Sequence, residues 1–125
     1  LDTAEGTLGT DQMQWLKDLL AEKKNAGYRH IIVFTHTHLF KQDNSQGHTS
    51  NLSIEETYEL TSVLSSAGVD LYLAGHDHSR EVTDYGNVRY ITVDSSTDAE
   101  PEPYYMEMEI GEEIRYRFVS LLPLK

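Results

Sequence analysis

The stretch Leu73-Ala74-Gly75-His76-Asp77-His78-Ser79-Arg80 decides how this chain is read. It closes an apolar run from Val69 to Ala74, broken only by Asp70, that has the character of a buried strand. The run stops at a glycine, and two histidines follow with one aspartate between them. A second apolar run, Ile31-Ile32-Val33-Phe34, leads in the same way into His36-Thr37-His38. Imidazoles therefore stand just past the C-terminal ends of two predicted strands, the edge at which open α/β sheets bind ligands. Neutral imidazole is a good ligand for ions of the zinc, iron and manganese class. The two loops are read as half of a metal site. His76 and His78, two residues apart, are expected to point their rings apart and so to serve different ions, as in centres whose two metals lie about 3.5–4 Å apart. Gly75 is expected to make the sharp departure from the strand. Asp77 and Asp94 are further carboxylate candidates.

Working outward, Thr10 is placed as the cap of a helix with Asp11 in its first turn, and Met13, Leu16, Leu19 and Leu20 recur at helical spacing. Trp15 is assigned to packing, and Asn25-Ala26-Gly27 ends the helix. The four apolar residues 31–34 predict a strand covered on both faces, hence helices on both sides of a parallel sheet. His30 falls at the opposite, non-functional edge. Lys41 to Asn51 is a polar loop, longer than most connections and on the ligand edge; its His48, together with His38, is a candidate substrate contact. Ser53-Ile54-Glu55-Glu56 has the form of a capping box, with Ile54, Tyr58, Leu60, Val63 and Leu64 as the buried face of the helix it starts. Strand, helix, strand makes a βαβ unit.

After residue 80 the period changes from helical to alternating. Residues 81–83 and 88–93 read as strands joined through Asp84-Tyr85-Gly86-Asn87. Met106, Met108 and Ile110, then Ile114, Tyr116 and Phe118, alternate with charges. They predict an antiparallel hairpin with one wet face and Glu107 and Glu109 opposite Arg115 and Arg117.

With 125 residues the chain makes one domain. Its net charge of -11 argues against a nucleic-acid backbone as partner. It has no cysteine for a thiolate site and no apolar run long enough to span a membrane, so it reads as soluble, whether cytoplasmic or exported. It begins with Leu1 and carries no signal peptide, as a processed product or a piece of a longer chain would.

The block Gly75-His76-Asp77-His78 after an apolar strand resembles the last signature of calcineurin-like metallophosphoesterases, glycine, histidine, any residue, histidine. Leu1-Asp2-Thr3, Leu8, Gln12, Trp15-Leu16 and Leu19 resemble the strand end and helix before that family's penultimate block, and His36 matches its histidine. His38 stands where proline is common. The resemblance covers residues 1 to about 93. It implies a partial metallophosphoesterase sandwich: an α/β fold with a βαβ unit, a mixed sheet and a C-terminal antiparallel hairpin. His36 and His76 would ligate one metal and His78 the other, in a pair of divalent or mixed-valence ions of the manganese, iron or zinc class. The implied reaction is hydrolysis of a phosphomonoester or phosphodiester by a metal-activated hydroxide. The family's earlier signatures, aspartate-x-histidine, glycine-aspartate and glycine-asparagine-histidine, are absent from residues 1–125. The chain thus resembles the C-terminal half of a phosphoesterase, inactive or nearly so alone. The missing half, or a second copy, would cover an incomplete sheet. Two alternatives stand beside this: a non-catalytic interaction module of the same shape, and a mononuclear zinc hydrolase using His36, His38 and one of the final pair.

Overall fold

Two helices and six strands follow one another as α1 (Thr10–Asn25), β1 (Ile32–Phe34), α2 (Ile54–Ser66), β2 (Leu71–Ala74), β3 (Glu81–Tyr85), β4 (Val88–Thr92), β5 (Tyr104–Ile110) and β6 (Ile114–Ser120). The structure, a computed structural model, describes residues 1–40, 52–76, 79–94 and 102–122. The predicted loop 41–51 lies outside the described residues.

β1 to β4 form one sheet in the order β1-β2-β4-β3. β2 pairs in parallel with β1 and β4, and β3 runs antiparallel to β4. The β3–β4 turn is the two residues Gly86 and Asn87, both at positive φ (58° and 62°), the pattern that matches strand twist in a tight hairpin. Gly86 is required twice over. A Cβ there would come within 3.0 Å of Ser65 Oγ, the same hydroxyl that donates to Gly86 O at 2.6 Å. Asp70, the one polar break in the second apolar run, accepts from Ile31 N at 2.9 Å.

Alternation splits the sheet into two faces. Val33, Tyr72, Ala74, Val88 and Tyr90 pack against Leu16 and Leu20 of α1 and Leu60 and Leu64 of α2. Ile32, Leu71, Leu73, Ile91 and Val93 face the other way, onto Met106, Met108, Ile114, Tyr116 and Phe118 of the hairpin. This corrects the expectation of helices on both sides. Both helices cover one face, and a two-stranded antiparallel sheet covers the other. An all-apolar strand reports that both faces are covered without saying by what.

The hairpin register is as expected, with Glu107 opposite Arg117 and Glu109 opposite Arg115. Arg117 and Glu107 form an ion pair. At the hairpin's tip, Gly111 O accepts from His30 Nε2 at 2.9 Å, which fixes His30 at the far edge. At its base, the Arg80 guanidinium lies 3.5 Å over the Tyr104 ring.

Four local expectations are revised. Gly9, not Thr10, caps α1, and no side chain of its own closes the cap. Ser53 caps α2 by accepting from Glu56 N at 3.1 Å, but the Glu56 carboxylate does not return to Ser53. It accepts from Leu8 N, Gly9 N and Thr7 Oγ1, at the start of α1. The buried stripe of α2 runs through Leu60, Thr61 and Leu64, leaving Ile54 and Tyr58 on its exposed flank. Trp15 is also exposed rather than packed. Among the described residues no helix is long and apolar enough to cross a membrane.

Candidate metal centre

Because β1 and β2 are parallel and in register, with Phe34 opposite Leu73, their C-terminal ends come level. The ladder continues past both strands: Thr35 N donates to Leu73 O at 3.0 Å, and Gly75 N donates to His36 O at 3.0 Å. The loops that carry the two histidines are thus bonded backbone to backbone. Thr35 and Thr37 turn inward on either side of His36, and the His36 ring is exposed at the edge. There it meets His76. Nε2 of His36 lies 2.9 Å from Nδ1 of His76, with ring centroids 4.8 Å apart and planes at 70°.

The sharp turn between the loops is made by His76 itself, at φ 73°, and not by Gly75 as expected. A Cβ at Gly75 would sit at ordinary contact distance, 3.9 Å, from His36 O. A histidine held in the left-handed region carries strain that the surrounding bonds must sustain.

Two ring nitrogens at hydrogen-bond distance cannot both be protonated toward each other, so at least one presents a lone pair. Two imidazoles bound to one zinc at about 2.0–2.1 Å would have nitrogens about 2.9 Å apart at a right angle and about 3.3 Å apart at the tetrahedral angle. The observed 2.9 Å separation falls within the spacing that a shared ion would need. His36 and His76 are the described part of the predicted ligand set. His78 and Asp77 lie outside the described residues, as does His48. Among the described residues no group of three or more histidine, aspartate or glutamate side chains is gathered to hold a metal.

His38 is placed differently from His36. It is buried, in a wall shared with Tyr72, Glu81, Tyr90 and Thr92. Burial pushes the Tyr90 hydroxyl up to about 12 and also raises that of Tyr72, partly offset by a hydrogen bond with Thr35. Asp94 forms an ion pair with Arg80, Nε to Oδ2 3.2 Å. Sequence reasoning missed this pair, the strain at His76 and the threonines packed beneath His36. Only the flanking of His36 by Thr35 and Thr37 was there to be noticed.

By architecture the chain is an α/β fold with a mixed sheet and an antiparallel hairpin, shared with a solved phosphatase. A dimetal phosphatase from Danio rerio aligns with 90% of this chain and 38% of its own, with a TM-score of 0.60 at 20% identity. GAP50, described as the anchor in the inner membrane complex of Plasmodium, aligns with 74% of this chain and 30% of its own, with a TM-score of 0.57 at 27% identity. The chain thus spans under two fifths of the length of either structure. No family model and no curated protein matches the sequence.

Proposed function

We propose that the chain supplies the C-terminal part of the catalytic centre of a metal-dependent phosphoesterase that hydrolyses phosphomonoesters or phosphodiesters. His36 and His76 hold one ion and His78 contributes to a second, both of the manganese, iron or zinc class. The observation that carries this reading is the 2.9 Å approach of His36 Nε2 and His76 Nδ1 from two adjacent strand ends. Bound ions supply Lewis-acid charge at the phosphate oxygens and lower the barrier to attack by water. The chain's own part is to bring the two facing ring nitrogens together at the strand ends, where both would present lone pairs to a bound ion. On this reading the remaining donors come from a preceding half of the domain, which is supported by the 63% exposure of Phe34 on the edge strand β1.

The test is zinc and manganese calorimetry on the chain and on a longer parent containing it, with aryl phosphate and diester turnover. Saturable binding lost in His76→Ala, with turnover only in the parent, is the expected result. Equal turnover by the chain alone would end the half-site reading. A second reading, a non-catalytic interaction module, is favoured by the likeness to GAP50, which is described as an anchor. It predicts no saturable metal binding in the parent.

A further inference from the structure

We propose that Thr3 is a positioning residue for His36, aiming its ring at His76 through a buried hydroxyl network; this rests on the metal-centre reading above. Thr3 and Thr37 are both fully buried. Thr37 N and Thr37 Oγ1 donate to Thr3 Oγ1, at 3.3 and 2.9 Å. A hydroxyl has two acceptor sites and one proton. With both acceptor sites filled, the Thr3 proton goes to Thr35 Oγ1, 3.0 Å away. A single side chain therefore grips the residue before His36 and the residue after it.

The grip is anchored on every side. Thr35 N and His36 O are tied to β2 and its following loop. Thr37 O accepts from Tyr72 OH at 3.4 Å. On the other side of Thr3, Asp2 and Gln12 exchange two hydrogen bonds, Asp2 N to Oε1 at 2.7 Å and Nε2 to Asp2 O at 2.8 Å. Helix α1 is thereby coupled to the metal ligand through Gln12, Asp2 and Thr3. A threonine that merely filled the core would have no reason to place all three hydroxyl contacts on the two neighbours of one histidine.

The experiment uses the 125-residue chain with zinc as probe and reads two signals: the ring-nitrogen resonances of His36 and His76 without metal, and zinc affinity. Thr3→Val keeps the shape and removes the hydroxyl, Thr3→Ser keeps the hydroxyl, and Val69→Ala destabilises the core away from the loops. Thr3→Val is expected to shift the His76 resonances toward those of a His36→Ala chain and to weaken zinc binding about 10–100-fold, with Thr3→Ser within about threefold of the original. Val69→Ala should lower the melting temperature and leave both signals in place. Thr35→Val, which removes the acceptor of the Thr3 proton together with the Thr35 bond to Tyr72, should act in the same direction and serves if Thr3→Val does not fold. Unchanged resonances in Thr3→Val, or an equal change in Val69→Ala, would overturn the proposal. If no chain binds zinc, the metal reading fails, and the resonances alone decide whether Thr3 sets the ring.

Discussion

The Glu56 carboxylate, in the first turn of α2, accepts a hydrogen bond from the backbone N–H of Leu8 at 2.6 Å, just before α1 begins. The same oxygen accepts from Gly9 N, the cap residue that has no side chain to do so. One carboxylate thus places negative charge near the positive ends of two helices. Glu56→Ala should destabilise the chain by about 1–3 kcal/mol, because it strands a partly buried donor. Glu56→Gln, which keeps an acceptor, should cost less. Urea unfolding of the two variants decides it; equal midpoints would mean the carboxylate acts through something other than these bonds.

His76 occupies φ 73° without being glycine. Asparagine tolerates that region and a β-branched residue does not, at roughly 1–2 kcal/mol of difference. His76→Val is therefore expected to be less stable than His76→Asn by about that amount. Both should lose zinc affinity. Equal stability would mean the loop relaxes to another backbone conformation when the imidazole is removed.

Alkaline pH should unfold the chain through its buried tyrosines. Burial raises Tyr90 from 10.0 to about 12 and raises Tyr72 as well. Folded values above unfolded ones mean that the folded state holds more protons in this window. The stabilisation is complete below pH 10.0 and is lost as the pH climbs toward about 12. Urea midpoints across that window should fall more steeply in the original chain than in a Tyr72→Phe, Tyr90→Phe double variant. Parallel declines would assign the loss to other groups.

The two faces of the sheet should fail separately. Leu64, fully buried between α2 and the sheet, should cost about 2–5 kcal/mol as Leu64→Ala and melt the whole unit. Phe118 is only partly buried, on a two-stranded hairpin that is marginal without the sheet beneath it. Phe118→Ala should loosen the hairpin first. Hydrogen exchange would show this as lost protection in β5 and β6 with β2 still protected; uniform loss would mean that sheet and hairpin unfold as one.

The approach of His36 to His76 was legible because its signal is local. His36 and His76 each follow an apolar run, and two parallel strands in register bring such residues to one edge. The hairpin register was legible for the same reason, since Met106, Met108, Tyr116 and Phe118 alternate with charges on either side of a short turn that sets the pairing. Glu56 was legible as a capping residue, yet its partner was not. Its place in the pattern of Ser53 pointed to its own helix, while a second helix terminus nearby in space offered three donors.

The sequence by itself determined where the chain would be helical, where it would be extended, and that imidazoles would leave two strands at their C-terminal ends. Those are consequences of periodicity and of residues a few positions apart. Only the tertiary structure decided that both helices share one face while the hairpin takes the other. It alone put the turn on His76 rather than Gly75 and laid Thr3 beneath His36. Each of these depends on which surface a buried group meets, and contacts between residues dozens of positions apart leave no mark on local periodicity.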